Sequence, residues 1–357
     1  MSTRRSGTGP TRLVDVARHA GVSTASVSRA INDPHLVSSA IRERVARAAR
    51  ELDWVPNGAA KALASLQWRT VGAVIPSLGN PNFGKLVEAL QRELARVNYT
   101  LVLGFAESRA VELRTQLARE MVERGIDCLI LVGEAQPTAL IELLRSQGIP
   151  CVMAYTTGRN RDNTCIGFDN HLAATQITRH LLDLGHRRFG MVADTSDWND
   201  RIEQRVAGVK DALAQAGLGI KPHHLAQVDG ARRVASGRIG LAQLLADPAD
   251  RPTAVICSND YLAFGVMIEA TSRGVAVPDQ LSVTGFDDID LSAHLMPALT
   301  TIRIPVDEMG EQIARYIVQV LDHGSAPLPA PLETECVVRG STASPPRQLR
   351  ASVPTRP

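Results

Sequence analysis

Apolar positions fall into two different rhythms along this chain. Between Leu13 and Leu52 they recur at helical spacing. Leu13, Val16, Ala17 and Ala20 follow i, i+3, i+4, i+7, one face of a helix. Gly21 then offers the left-handed backbone freedom that a helix end requires. Ser23 suits the N-cap of a second helix that turns Val27, Ala30 and Ile31 inward and leaves Thr24, Ala25, Ser28 and Arg29 pointing out. Ser38 or Ser39 caps a third helix, Ala40 to Leu52, with Ile41, Val45, Ala48, Ala49 and Leu52 as its stripe. Pro56 ends helical structure. The stretch NGAAKALAS from Asn57 is helix-capable, but isolated helices in water need roughly 12–15 residues.

From Val71 the rhythm shortens. Apolar runs occur at 71–76, 99–104, 128–133 and 150–155, and again at 188–193, 224–228, 253–258 and 281–286. Amphipathic stretches at about 83–97, 112–124, 137–147, 171–184, 202–216, 235–246 and 261–273 separate them. Strands alternating with helices predict parallel sheets covered on both faces. Two sets of four strands predict two similar α/β lobes. Ligands on such sheets bind beyond the carboxyl ends of the strands, so facing lobes place the site in the cleft between them. The tail from Ser344, SPPRQLRASVPTRP, is expected to be disordered and carries no leucine heptad.

Composition sharpens this picture. A chain of 357 residues, 44% hydrophobic and 21% charged, suits two or three globular domains. The net charge of +2 is uneven: residues 1–69 hold 11 Lys/Arg against 5 Asp/Glu, net +6, which leaves −4 for the rest. A basic head on a mildly acidic body implies a polyanionic partner for the head alone. Two short helices joined at a glycine have the geometry of a helix-turn-helix, whose second helix enters the DNA major groove. An ordinary helical hairpin is the alternative on spacing alone. No apolar run is long enough to cross a membrane, and Arg4 and Arg5 precede no apolar signal segment, so a cytoplasmic, nucleoid-associated protein with no membrane partner is expected. Cys128, Cys151 and Cys257 sit in or beside strand-like runs, while Cys165 and Cys336 lack close partners; free thiols are expected, without disulfide or metal.

At this point the chain resembles a known family. The segment LVDVARHAGVSTASVSRAIN at 13–32, then VPNGAAKALAS, then two α/β lobes is similar to the lactose-repressor/galactose-repressor (LacI/GalR) transcription factors. Further matches are IPSLGNPNF at 75–83, IGFDN at 166–170, LGHRRFGMVA at 184–193, RVAG at 205–208, CSNDYLAFG at 257–265, VPDQLSVTGFDD at 277–288 and PALTTIRIP at 297–305. They occur in order over residues 12–341. The resemblance implies an all-α helix-turn-helix head and hinge helix, followed by a two-lobed α/β core like the periplasmic sugar-binding proteins. It implies a homodimer that binds palindromic double-stranded operator DNA under the control of a small effector. The layout expected is a flexible N-terminus at 1–11, a helix-turn-helix domain at 12–56, and a hinge helix and linker at 57–69. The core follows at 70–341, lobe 1 from about 70–165 and 303–326, lobe 2 from about 166–302 and 327–341. A disordered tail, 342–357, ends the chain.

By the same resemblance Arg29 reads bases, as a guanidinium fork suits guanine O6 and N7; the alternative is a phosphate contact. Thr24 and Ala25 match the family's specificity pair. Ser23, Ser26, Ser28 and Asn32 suit phosphate contacts or caps. Asn57 to Ala64 matches the hinge helix that enters the minor groove, with Leu63 as the wedge between base pairs and Lys61 on a phosphate. The plain alternative for Leu63 is a core residue.

The cleft residues expected from the strand-end loops are Asn82, Phe83, Tyr155, Phe168, Asn199, Arg201, Arg205, Asn259 and Asp287. The resemblance gives Arg205, Asn259 and Asp287 bonds to effector polar groups, and planar Asp, Asn and Arg groups suit bidentate bonds to adjacent hydroxyls. Phe83 or Phe168 suits an apolar sugar face. Asn259, Asp260, Asp287 and Asp288 also suit helix caps, Arg205 an ion pair, and Asp169 and His186 structural bonds. Tyr155 replaces an acidic or amide residue of many sugar-binding members, and Gly230 replaces an aromatic. These departures speak against a plain neutral hexose, and Arg201 beside Arg205 adds positive charge, which fits a sugar acid or another carboxylate; the alternative is that Asp197 or Asp287 neutralises either Arg. Competing readings are a cytoplasmic sugar-binding protein and an α/β enzyme without a DNA role. The basic head speaks against the first. Against the second, no G-x-G-x-x-G follows a strand, no Walker A or G-x-S-x-G occurs, and Asp287 and Asp288 are too close in sequence to flank a substrate. No catalytic residue, cofactor or metal is expected.

Overall fold

The computed structural model describes residues 11–56, 67–107, 109–158, 164–194, 198–230 and 233–346. The chain divides into two units, Met1–Arg69 and Thr70–Pro357. In the first, α1 (Leu13–Ala20), α2 (Thr24–Asn32) and α3 (Ser39–Glu51) enclose Val16, Ala17, Ala20, Val27, Val45 and Ala48. Gly21 ends α1 at φ 61°, where a Cβ would be strained. Ser23 accepts the Ser26 amide at 3.1 Å and so caps α2. Ser38 accepts the Ile41 amide at 3.4 Å, which selects it over Ser39 as the cap of α3. The Arg44 guanidinium donates to the Ala20 carbonyl at 2.6 Å and ties α3 to the end of α1. Small apolar residues let three short helices approach closely, and none of the three is long enough to be stable alone.

The second unit begins with β1 (Thr70–Ile75), α4 (Pro81–Arg96), β2 (Thr100–Phe105), α5 (Val111–Arg124), β3 (Cys128–Val132), α6 (Thr138–Ser146), β4 (Cys151–Ala154) and β5 (Thr164–Ile166). Their sheet is parallel throughout, in the order β2-β1-β3-β4-β5. Then come α7 (Asn170–Asp183), β6 (Phe189–Asp194), α8 (Asp200–Gln215), β7 (Leu225–Val228), α9 (Val234–Leu244), β8 (Ala254–Cys257), α10 (Asp260–Ser272), β9 (Ser282–Thr284) and α11 (Leu291–His294). The second sheet is also parallel, ordered β7-β6-β8-β9. The central strands are buried on both faces, which is why they read as unbroken apolar runs. Sequence pattern predicts four strands per lobe. The first sheet has a fifth, β5, whose three residues are too few to show a period.

Beyond the second sheet, β10 (Thr301–Arg303) pairs antiparallel with β11 (Glu335–Val337). Between them α12 (Val306–His323) returns to the first lobe and packs on α4. Gly310 makes that approach possible, since a Cβ there would press on Ala89. His186 is buried and bonds Thr253 Oγ1 at 2.9 Å and Ser282 Oγ at 3.0 Å, a structural post in the second lobe. The packed chain runs past the expected start of the tail at 342. Thr342 bonds His180 at 3.0 Å, and the Ala343 amide donates to Ser282 at 3.0 Å. Those bonds give polar residues a place at the sheet end that composition does not reveal. Residues 347–357 lie outside the described residues. All five cysteines are free, Cys128 and Cys257 buried.

Candidate functional site

In the first unit, burial of Val27 fixes the rotation of α2. Thr24, Ala25, Arg29 and Asn32 are exposed, with Ser28 half-buried on the same stripe. Asn32 Nδ2 donates to Ser28 Oγ at 3.3 Å, so these two steady each other. Ser23 is occupied by its cap bond. The expected hinge residues Asn57, Lys61 and Leu63 lie outside the described residues.

In the second unit the strand-end loops of the two lobes meet around one cavity of about 190 Å³. Eight of the nine expected cleft residues line it: Asn82, Phe83, Tyr155, Asn199, Arg201, Arg205, Asn259 and Asp287. Phe168 does not. It is fully buried behind Tyr155, whose ring lies edge-on to it at 6.2 Å. Its place is support, not contact, because the chain at Phe168 is held in a β-bridge with Leu332.

The arginine of RVAG is held from several sides. Arg205 Nε donates to Asn170 Oδ1 at 2.9 Å, and Nη1 donates to the Ser258 carbonyl at 2.7 Å. Its guanidinium lies 3.5 Å from the centroid of the Phe286 ring. Asp287 faces it at 3.9 Å. Gly208, one turn along, lets α8 close on α7, since a Cβ would meet the His171 carbonyl. Burial lowers the Arg205 pKa to about 10 despite Asp287. Burial also raises that of Asp287, against the pull of Arg205. Both shifts have the same meaning: desolvation outweighs the mutual attraction of this pair.

Asp287 also joins the lobes. Its carboxylate accepts from Asn80 Nδ2 at 2.8 Å, and its carbonyl accepts from Asn82 Nδ2 at 2.9 Å. A backbone φ of 120° aims it there. Tyr261 donates to the Gly79 carbonyl at 3.2 Å, and Arg109 reaches Asp229 at 3.3 Å across the mouth. Sequence reasoning missed Asn80, Arg109, Asp229, Arg233 and Tyr261 as cleft residues. Asn80 carried a signal, as the cap of the helix that contains Asn82. Arg109 and Asp229 carried none, because their loops belong to different lobes.

The carboxylates resolve differently. Asn259 Oδ1 accepts the Leu262 amide at 2.9 Å and caps α10, while the residue still lines the cavity. Asp260 is buried under bonds from Thr301, Ser292 and the Ile289 amide, and burial pushes its pKa up to about 7. Asp288 is taken by Arg303 and Arg339. Asp169 caps α7 through the Leu172 amide. Tyr155, also at positive φ, donates to the Asn82 carbonyl at 3.1 Å and lies edge-on to Phe83, 5.2 Å between ring centroids. The site is thus a wall of planar polar groups with one aromatic corner, which suits hydroxyl-rich ligands.

The family described as bacterial regulatory proteins, lacI family, matches residues 12–57, and that described as periplasmic binding protein-like domain matches residues 178–342. The ribose operon repressor of Haemophilus influenzae is 31% identical over 334 residues, 93% of this chain and 98% of that protein. The chain belongs to the lacI family of bacterial regulatory proteins. This lacI-family chain is a DNA-binding transcriptional regulator and not an enzyme. Among solved structures, a LacI-family regulator from Silicibacter pomeroyi is 27% identical with a TM-score of 0.83, over 94% of this chain and 100% of that one. The lac repressor dimer bound to operator and an anti-inducer has a TM-score of 0.83 at 26% identity, over the same shares. Among the described residues no helix is long and apolar enough to cross a membrane.

Proposed function

We propose that this regulator is a cytoplasmic repressor that binds a palindromic operator as a homodimer and is switched by a sugar or sugar acid held between its core lobes. The observation that carries the reading is the convergence of eight polar or aromatic residues from both lobes on one cavity. A ligand touching both walls favours one lobe arrangement over another. In a dimer, that arrangement sets the spacing of the two segments at 57–69, and so their ability to fold on DNA. The exposed stripe Thr24, Ala25, Ser28, Arg29 and Asn32 reads the major groove, with Arg29 on a guanine. Asn57, Lys61 and Leu63 serve the minor groove, Leu63 as the wedge.

Dimer formation draws support from the solved lac repressor dimer and from one face of the second lobe. There Ile268, Leu291 and Met296 are exposed beside an apolar groove of about 540 Å³.

Selection of operator from random sequence, followed by binding at several salt concentrations, tests the reading. The recovered site is expected to be palindromic, and log K to fall with log salt by about 0.9 per phosphate neutralised. Equal affinity for scrambled DNA, or a flat salt response, refutes it. Replacement of Leu63 by Ala is expected to reduce the bend in the bound DNA.

A further inference from the structure

Arg201 is a buried cation that no carboxylate among the described residues pairs with directly. It lines the cleft in the first turn of α8 and is only 8% exposed. Its Nε is buried and meets no acceptor. Among the described residues it enters no ion pair. Its neighbours offer none: the Asp200 carboxylate turns back to accept the Glu134 amide at 2.9 Å, and Asp287 is engaged by Asn80 and faces Arg205. The group closest in kind is the Tyr155 ring, whose centroid lies 6.0 Å from the guanidinium. A second buried guanidinium, Arg114, stands close enough to feel the charge of Arg201. Arg114 also feels the Asp200 carboxylate, which offsets part of that charge.

The same corner holds a second anomaly. Asn199 occupies the cap position of α8, yet its side chain makes no cap bond, and its Oδ1 is buried without a donor. Among the described residues, no cap side chain therefore accepts from the first amides of this 16-residue helix. A helix start carries partial positive charge and free N–H groups, which favour an anion. A lone acceptor beside them favours a hydroxyl hydrogen. Burying an unpaired charge is costly, and proteins keep such a charge where a ligand neutralises it.

We propose that the effector is a small polyhydroxylated acid whose carboxylate or phosphate sits on Arg201 at the start of α8. A hydroxyl next to the acid donates to Asn199 Oδ1, and the remaining hydroxyls meet Asn259, Asp287 and Arg205. The proposal rests on the cleft being the effector site and adds to it the charge of the ligand. Arg201 supplies a planar fork that matches the two oxygens of an acid; Arg205, held by Asn170 and Ser258, has less of its fork to give.

The test uses the full chain and matched pairs of probes: D-gluconate with D-glucitol, D-glucuronate with D-glucose, and D-ribose 5-phosphate with D-ribose. Binding is measured by calorimetry and by thermal shift. At least one acid is expected to bind about tenfold or more tightly than its neutral partner, and which acid does so tells carboxylate from phosphate. Arg201→Met is expected to bring that acid down to the affinity of its partner. It is also expected to leave the ligand-free Tm unchanged or raised, since an uncompensated buried charge has gone. Arg201→Lys keeps the charge and is expected to keep some preference for the acid. If a neutral sugar binds as tightly as its acid, or no acid binds at millimolar concentration, the proposal fails. If Asn259→Ala and Asp287→Asn weaken binding but Arg201→Met changes nothing, the cleft stands and the acid seat is wrong. If none of these variants alters binding, the effector site lies elsewhere and the underlying reading falls as well.

Discussion

Asn82→Ala is expected to loosen the two lobes before any ligand is added. Asn82 is 3% exposed and sits in the first turn of α4, where alanine is well tolerated. Its Nδ2 donates to the Asp287 carbonyl at 2.9 Å, a buried bond between lobes. Without it that carbonyl is left unpaired while the lobes are together, and is hydrated when they part. Leaving one buried polar group unsatisfied costs about 1–3 kcal/mol. The equilibrium between joined and parted lobes then shifts by about 5- to 150-fold. The Arg109–Asp229 pair is the control. It is as direct a link, at 3.3 Å, but its side chains are 49% and 55% exposed. Exposed ion pairs are worth about 0–1 kcal/mol, so Arg109→Ala is expected to do little. Fluorescence energy transfer between dyes on the two lobes of the ligand-free protein reads the distribution directly. A second reading is effector affinity: an effector that requires the joined arrangement loses affinity by the factor that closure loses. Lobe separations unchanged in Asn82→Ala, or moved more by Arg109→Ala, refute the ranking of buried over exposed links.

Other expectations concern the DNA head and the core. Arg29→Ala is expected to cost about 1–3 kcal/mol of discrimination between operator and random DNA, in competition binding at fixed salt. A variant that keeps its full preference shows that Arg29 does not read a base. His186 is neutral in the fold, its pKa lowered by burial to about 4. Its contribution to stability is therefore present above the unfolded value of about 6.5 and is lost as pH falls towards 4. That loss amounts to no more than about 3 kcal/mol, and denaturant titrations of wild type and His186→Gln between these pH values are expected to differ in slope. Parallel slopes contradict a depressed His186.

Much of this protein is decided by local sequence. The three helices of the head follow from the spacing of Leu13, Val16, Ala17 and Ala20, from Gly21 and from the caps, because each signal acts within one turn. The two lobes follow from unbroken apolar runs, since parallel strands covered on both faces leave no polar alternation. The cleft is legible for the same reason: ligands gather at strand ends, and the residues there can be counted off the runs. What the tertiary structure alone decided is the state of each polar group in that cleft. Asp260 and Asp288 carry the same side chain as Asp287, yet the first is consumed by Thr301 and Ser292 and the second by Arg303 and Arg339. Phe168 reads as a second aromatic wall but lies behind Tyr155. Arg205 and Arg201 stand one helical turn apart and look alike, but among the described residues Arg205 is tied by hydrogen bonds to Asn170 and Ser258 while the Arg201 Nε has no acceptor. These differences come from groups that are distant in sequence and brought within 3 to 4 Å by folding. Local pattern brings eight of the nine expected side chains to the cleft; only the packed lobes add Arg109 and Asp229 and fix which group still has a bond to offer.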